Sequence, residues 1–288
     1  MLAQIVQSFR GYFFQQISNL DVRNLLKDPK RYEDFCITLE GSNPVMLDFS
    51  KENINEDGFK FFAEVWKDRN LENKIGAMFA GQKINFTEGK PALHTALRAN
   101  KESLVIDGVD VAKEIKQVRS KIAQVAQEIR DGKRVGATGK KFTCILNIGI
   151  GGSLQGLKSA YTALCGAKEL AHKSDIMCMK FVANVDPADF AMETRHLDWE
   201  STLVIISSKS FTTVETTLNM NLVKEALIAN LQKIDKSLTA NAVFSKHILA
   251  STANEEMAVK SGIASEACFK FWNWVGGRFS VVFFNQGV

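Results

Sequence analysis

The amino-acid sequence predicts an α/β fold, in which a doubly wound parallel sheet follows a mainly helical N-terminal segment. From residue 142 onwards, short apolar runs rich in β-branched residues alternate with helical patterns. This alternation is typical of a parallel sheet covered by helices on both faces. Because no such alternation occurs earlier, we divide the 288 residues into a helical segment, 1–107, and an α/β domain, 108–288.

A long amphipathic helix is expected to open the α/β domain. Apolar residues recur in steps of three and four over residues 111–129, and Gly132 is a suitable terminator. Four bounded apolar runs after this helix have the length and composition of buried strands. They lie at residues 142–148, 176–182, 202–206 and 243–250.

Three loops in this domain are candidates for a binding site. They lie at residues 149–153, 184–187 and 207–213, each directly after a predicted strand. Parallel strands direct their carboxyl ends to one edge of the sheet, and ligands of such sheets bind beyond that edge. We therefore expect the three loops to converge.

Composition excludes several classes of protein. The net charge is +4, with 36 basic residues dispersed among 32 acidic ones, so no basic stripe for nucleic acid is expected. No apolar run is long enough to cross a membrane. Five scattered cysteines, without a C-x-x-C pair, indicate a cytoplasmic protein without a disulfide framework.

The loop at 207–213 is the richest in hydroxyl groups. It reads Ser-Ser-Lys-Ser-Phe-Thr-Thr and opens a long helical pattern. Free backbone N–H groups and the positive end of the helix dipole meet at such a turn, which suits a phosphate. The same hydroxyls could instead only cap the helix. The stretch by itself supports the two interpretations equally.

The loop at 149–153 reads Gly-Ile-Gly-Gly-Ser, and its glycines let the backbone approach an anion closely. A dinucleotide fingerprint would need glycine where Leu154 stands. A P-loop would need lysine directly after Gly156, where Leu157 stands. Both nucleotide motifs are therefore disfavoured.

At five places the sequence resembles the glucose-6-phosphate isomerase family. These are Gly-Ile-Gly-Gly-Ser at 149–153, Ser-Lys-Ser-Phe-Thr-Thr at 208–213, Phe-Trp-Asn-Trp-Val-Gly-Gly-Arg-Phe-Ser at 271–280, the segment 84–98, and Ala-Asn-Val-Asp at 183–186. The resemblance implies a sugar-isomerase (SIS) domain. It also implies interconversion of glucose 6-phosphate and fructose 6-phosphate in glycolysis and gluconeogenesis, through a cis-enediol and without metal or organic cofactor.

The resemblance also implies which residues hold the phosphate. The hydroxyls of Ser208, Ser210 and Thr213 would bind it, with help from the backbone at Lys209. Each of these residues belongs to the hydroxyl-rich loop, so the resemblance favours the phosphate interpretation over a simple helix cap.

Other residues are implied at the reacting end of the sugar. Gly152 and Ser153 would line that end of the pocket. Arg278 is implied as a catalytic residue that stabilises negative charge on the enediolate oxygen, a role that suits a permanently charged guanidinium.

The sequence departs from the family pattern at several points. Leu154 stands where the family usually has Asp, and Pro-Ala-Asp at 187–189 replaces the usual Gly-Thr-His. Ser210 replaces Thr but keeps the hydroxyl. Residues 281–288 leave the family pattern.

No group in this sequence matches the family's proton-transferring glutamate, which lies in the second half of the family's chain together with a histidine and a further lysine. We therefore expect a truncated or frameshifted copy that lacks the second SIS domain and has little or no activity alone. The alternative is a non-catalytic sugar-phosphate-binding or regulatory SIS module. The residues considered for the base and set aside are Glu88, Glu215, Glu255, Glu256 and His247.

Partners are implied in the same way. The expected ligand is a sugar phosphate, with neither nucleic acid nor membrane as a partner. The family is typically homodimeric, but much of its contact surface lies in the second half of its chain, so the sequence leaves dimerisation of this chain open.

Overall fold

The computed structural model of the protein describes residues 7, 11, 19–99, 101–170 and 177–279, without the side chains of 166–170 and 278. The chain divides into two compact units, the first ending at Ala77 and the second beginning at Met78. No helix in the described ranges has the length and apolar character to span a membrane. All five cysteines are in the reduced form.

The first unit contains short helices and a two-stranded antiparallel ribbon, β1 and β2. The sequence predicts helices here but not the ribbon. The last helix, α4, contains the division between the two units. The elements are α1 Val22–Leu25, α2 Arg31–Asp34, β1 Cys36–Leu39, β2 Val45–Asp48, α3 Glu56–Asp68 and α4 Leu71–Phe79.

A buried arginine organises the first unit. Arg31 donates from Nε to the carbonyl oxygen of Ser50 and from Nη2 to that of Glu52, both at 2.9 Å. Its guanidinium also lies 3.5 Å from the centre of the Phe35 ring. A buried charge is tolerated only with such partners, so Arg31 fixes the chain that follows the ribbon.

The second unit contains the parallel sheet and its helices. Two very short strands and a long helix precede the first parallel strand. The elements are β3 Val105–Ile106, β4 Val109–Asp110, α5 Val111–Arg130, β5 Cys144–Ile148, α6 Gln155–Leu170, β6 Cys178–Val182, α7 Pro187–Thr194, β7 Thr202–Ser207, α8 Val214–Ile234, α9 Ala240–His247, β8 Ile248–Thr252, α10 Glu255–Lys260 and β9 Cys268–Lys270.

The sheet has five parallel strands in the order β6-β5-β7-β8-β9. The predicted α/β fold with a parallel sheet is confirmed. Ile148 pairs with Val182 on one side and Ile206 on the other, so the carboxyl ends of three strands are level. Strand β9 was not predicted, because its three residues are too few to give a pattern.

The strand order places a crevice between β5 and β7. After β5 the chain moves outward to β6, and after β7 it moves in the opposite direction to β8. Right-handed crossovers in opposite directions put their helices on opposite faces of the sheet. The two loops that follow β5 and β7 therefore separate at the carboxyl edge, which is the usual ligand position in such sheets.

The fourth strand was predicted too early in the chain. Residues 243–247 belong to helix α9, and β8 begins at Ile248. The reason is local capping, since the Oγ1 of Thr239 accepts a hydrogen bond from the backbone N–H of Ala242 and starts the helix.

The segment before α5 packs with the sheet domain. Leu93 and Leu97 are completely buried within the same apolar core as the central strands. The backbone N–H of Leu93 also donates to the carbonyl oxygen of Trp274, at 3.3 Å. The predicted domain boundary at residue 107 consequently falls inside the second unit.

Candidate functional site

A cavity of about 630 Å³ lies at the carboxyl ends of β5, β7 and β8. Its walls come from the loops after these strands, together with one residue after β9. Most of the lining side chains carry hydroxyl or amide groups. The lining residues are Ile150, Ser153, Ser207, Ser208, Lys209, Ser210, Thr213, Thr216, Ala253, Asn254 and Asn273.

The glycine loop forms one wall. It makes a 3-10 turn, Gly151–Ser153, in which the N–H of Ser153 donates to the carbonyl oxygen of Ile150 at 3.1 Å. A Cβ at Gly149 would lie 2.8 Å from the carbonyl oxygen of Ser153, which leaves no space for a side chain. Glycine at 149 therefore allows the tight turn that brings Ser153 to the cavity.

The hydroxyl-rich loop forms the opposite wall around a buried aromatic side chain. Phe211 has a positive φ of 57° and is only 4% exposed. Its backbone N–H donates to the Oγ of Ser208 at 3.1 Å, and the Oγ1 of Thr212 donates to the Oγ of Ser210 at 2.8 Å. The left-handed residue reverses the chain, so Ser208 and Ser210 line the cavity while the phenyl ring packs into the core.

Helix α8 begins at this loop without a side-chain cap. Thr213 is the N-cap residue, but its hydroxyl accepts no hydrogen bond from the first turn. The interpretation that these hydroxyls only cap the helix is therefore not supported. The first backbone N–H groups of an α-helix have no intrahelical acceptor, and together with the helix dipole they favour an anion.

Lys209 is the only basic residue among the described residues that line the cavity. Burial lowers the pKa of its ammonium group from the usual value, and Lys90 lowers it further, whereas Glu88 acts in the opposite direction. No described carboxylate lines the cavity. The site as described therefore suits an anionic ligand.

Most of the predicted site residues come together in this cavity. Gly152 lies in the turn before Ser153 but does not line the cavity. Arg278 lies in the 3-10 turn Gly277–Phe279, which approaches the turn Gly151–Ser153 within 8 Å between Cα atoms. The side chain of Arg278 is outside the described part of the structure. The predicted residues that line the cavity are Ser153, Ser208, Lys209, Ser210 and Thr213.

Several residues that line the cavity were not predicted from the sequence. Asn254 follows β8 and donates from Nδ2 to the carbonyl oxygen of Ser210, at 3.1 Å. Its loop was not recognised because the fourth strand was placed too early. Asn273 lies within the segment 271–280 that resembled the family, but nothing in its sequence context marked it as a lining residue.

Two of the three loops that were expected to converge line the cavity, whereas residues 184–187 do not. Strand β6 is an edge strand on the far side of β5. Its loop contacts helix α8, where the Nδ2 of Asn219 donates to the carbonyl oxygen of Asn184 at 2.8 Å. The unusual Asp189 has a structural role there, because its carboxylate accepts from the N–H groups of Ala183 and Asn184, at 3.3 and 3.2 Å.

Leu154, the other departure from the family pattern, is 1% exposed and belongs to the interior. It is not a lining residue. An apolar side chain at this position therefore contributes to packing below the glycine loop.

His247 lies at the opposite end of the sheet from the cavity and has a structural role. Its Nε2 accepts from the N–H of Ala137 at 2.9 Å, so Nδ1 carries the proton and donates to the carbonyl oxygen of Thr202, at 2.8 Å. Thr202 begins β7, whereas the cavity lies beyond the end of that strand. His247 is therefore not positioned to transfer a proton to a ligand in the cavity.

The burial of His247 predicts a specific pH dependence of stability. Burial lowers its pKa below the usual 6.5, although the bond to Thr202 raises it in part. Above pH 6.5 the imidazole is mainly neutral in both the folded and the unfolded state. As the pH falls below 6.5, the unfolded chain takes up a proton at His247 before the folded chain does. The free energy of unfolding should then fall by up to about 1.4 kcal/mol per pH unit as pH falls through this window.

Denaturant unfolding between pH 7 and about pH 5 measures this slope. In His247→Gln the part of the slope due to this residue should disappear. The matched control is His196→Gln, which removes an exposed histidine and should keep the wild-type slope. A wild-type slope in His247→Gln would show that another group titrates.

Comparison with known proteins agrees with the fold. A family model described as phosphoglucose isomerase matches residues 48–284. The chain belongs to the phosphoglucose isomerase family. The resemblance inferred from the sequence is thereby confirmed.

Relatives in this family include the cytosolic B glucose-6-phosphate isomerase of Oryza sativa subsp. japonica, 38% identical over 266 residues, which are 92% of this chain and 45% of the rice protein. The enzyme of Deinococcus radiodurans is 37% identical over 277 residues, 96% of this chain and 48% of the relative. The crystal structure of a glucose-6-phosphate isomerase from Chlamydia trachomatis superposes with a TM-score of 0.68 at 28% identity, over 91% of this chain and 46% of that one. The chain thus spans about half the length of these relatives.

Proposed function

We propose that the cavity binds the phosphate group of a hexose 6-phosphate, as part of the interconversion of glucose 6-phosphate and fructose 6-phosphate. The observation that carries this proposal is the set of hydroxyls of Ser208, Ser210 and Thr213 in one cavity at the uncapped N-terminus of α8. Hydroxyls and backbone N–H groups are suitable donors for the oxygens of a phosphate.

The remaining roles follow from the family. Ser153, beside Gly152, would contact the sugar, and Arg278 would stabilise the enediolate. The proposed setting is the cytoplasm, in glycolysis and gluconeogenesis. The cytosolic rice and Zea mays relatives agree with that location.

A second candidate is a non-catalytic sugar-phosphate-binding or regulatory module. The observation that favours it is the absence of any carboxylate or imidazole among the described residues that line the cavity. Isomerisation moves a proton between neighbouring carbons and needs a positioned base. We therefore propose that the 288-residue chain, taken by itself, binds the phosphosugar without appreciable turnover.

Titration calorimetry with glucose 6-phosphate, inorganic phosphate and glucose tests the binding proposal. The first two ligands should bind, and glucose should not. In Ser210→Ala/Thr213→Val, affinity for glucose 6-phosphate should fall by about a hundredfold or more, because each of the two lost hydrogen bonds to a charged group contributes about 1.5–3 kcal/mol. Ser245→Ala, which removes a hydroxyl from helix α9, is the matched control. Equal affinities in the two variants would refute the assignment of the cavity.

A coupled assay for fructose 6-phosphate conversion separates the two candidates. Binding without turnover supports the module, whereas turnover that is lost in Ser210→Ala/Thr213→Val supports the isomerase. Turnover would also show that a base lies outside the described lining residues.

A further inference from the structure

The side chain of Lys209 connects the hydroxyl-rich loop to the segment 273–275, which carries the lining residue Asn273. Its Nζ donates to the carbonyl oxygen of Asn273 at 2.9 Å and to that of Val275 at 2.8 Å. These acceptors lie 64 and 66 residues further along the chain. An ammonium group has three donors, so two of them are directed at backbone carbonyls rather than at the cavity.

The backbone of Lys209 is fixed independently of its side chain. Its carbonyl oxygen accepts from the N–H of Ala253 at 3.1 Å, which joins the hydroxyl-rich loop to the chain after β8. The neighbouring N–H of Ser208 donates to the carbonyl oxygen of Ser251, at 3.0 Å. The loop therefore keeps its position on the sheet without the ammonium group.

The segment 273–275 is held by this side chain at two carbonyls and by the N–H of Leu93 at the carbonyl oxygen of Trp274. Asn273 is exposed and lines the cavity, while Val275 is buried. Between them, the indole ring of Trp274 stacks on Trp272 with a centroid distance of 5.0 Å. Lys209 binds the two carbonyls on either side of Trp274, so it fixes the backbone that presents Asn273 to the cavity.

We propose that Lys209 is a positioning residue: its side chain leaves the phosphate to the surrounding hydroxyls and holds the segment 273–275 as the wall that contacts the sugar. This inference rests on the proposed function, because it concerns how the same cavity distinguishes a hexose phosphate from phosphate alone. Two charge-assisted hydrogen bonds to neutral carbonyls provide the connection.

Lys209→Met tests the proposal, because it keeps an unbranched side chain, shorter by one atom, and removes its donors. Lys90→Met is the matched control. The side chain of Lys90 is partly exposed and pairs with Glu88, and its positive charge acts on Lys209. The control variant removes this charge. Titration calorimetry on the full chain compares inorganic phosphate with glucose 6-phosphate in both variants.

In Lys209→Met, affinity for glucose 6-phosphate should fall by about tenfold or more, the loss expected when charge-assisted bonds that position a wall are removed. Affinity for inorganic phosphate should fall no further than in Lys90→Met. An equal loss for both ligands in Lys209→Met, larger than in the control, would make Lys209 a direct phosphate ligand and overturn the proposal.

Tryptophan fluorescence gives a readout that does not require a ligand. Trp274 is half-buried beside the two carbonyls, so Lys209→Met should shift its emission to longer wavelength and increase quenching by acrylamide, while Lys90→Met should not. An unchanged spectrum in Lys209→Met overturns the proposal. If the wild type binds no phosphosugar but the spectrum shifts as expected, the proposed function fails while the role of Lys209 in holding this segment stands.

Discussion

Replacement of Phe211 by alanine is expected to lower the free energy of unfolding by about 3 kcal/mol, because a buried aromatic side chain is removed from a packed core. The ring belongs to the same apolar core as the central strands. The N–H of Phe211 also fixes the hydroxyl of Ser208. Without the buried ring the backbone that carries this N–H loses its anchor in the core, so we expect Phe211→Ala to lose detectable binding of glucose 6-phosphate as well.

The positive φ of Phe211 predicts an unusual order of variants. A glycine variant is normally less stable than the alanine variant at the same ordered position, because glycine gains more backbone entropy on unfolding. Position 211 has a φ of 57°, however, and in this left-handed conformation the Cβ of alanine has a steric cost. Glycine has no Cβ and avoids that cost. Phe211→Gly should therefore be more stable than Phe211→Ala by about 1 kcal/mol.

Denaturant unfolding of both variants, with calorimetry of ligand binding, measures these effects. Phe86→Ala is the control, since Phe86 is 90% exposed and its loss should change stability by less than about 0.5 kcal/mol. If Phe211→Ala proves more stable than Phe211→Gly, the left-handed conformation is not a source of strain in this loop.

Long apolar runs made the central part of the sheet predictable. Strands β5 and β7 are buried on both faces, and most of their residues are therefore apolar. The edge strand β6 is only partly buried but keeps four apolar residues out of five. Strand β9 is too short to show such a pattern. In α9, local capping by Thr239 determines the structure of an apolar stretch that reads equally well as strand or helix.

The candidate site could be predicted where hydroxyl-bearing side chains directly follow a predicted strand. The run of hydroxyl-bearing residues directly after β7 predicted a binding site at that strand end, and several of these residues line the cavity. Asn273 and the side-chain direction of Lys209 could not be inferred from the sequence. Both depend on contacts between segments more than sixty residues apart, and these contacts are determined by how the chain after β9 returns to the carboxyl edge of the sheet.

Replacement of Gly149 by alanine is the second large effect that we expect. The new Cβ would lie 2.8 Å from the carbonyl oxygen and 3.1 Å from the carbonyl carbon of Ser153. Both atoms belong to the backbone, so the conflict cannot be relieved by a side-chain rotation. Overpacking of this kind should lower the free energy of unfolding by about 2 kcal/mol.

The same substitution should affect ligand binding more than stability. Relief of the contact must displace the turn that carries Ser153, and Ser153 lines the cavity. We therefore expect affinity for glucose 6-phosphate to fall by more than about tenfold, since misplaced donors lose most of their hydrogen-bond energy. Denaturant unfolding and titration calorimetry measure the two effects separately.

Gly151→Ala is the control from the same loop. Gly151 has a positive φ of 57°, but no atom lies within 4 Å of its added Cβ. Its replacement should therefore cost only the left-handed conformation, about 1 kcal/mol. If Gly149→Ala binds glucose 6-phosphate as tightly as Gly151→Ala, the space at Gly149 does not determine the position of Ser153. The hydroxyls beyond β7, at the N-terminus of α8, would then account for the affinity without the glycine loop.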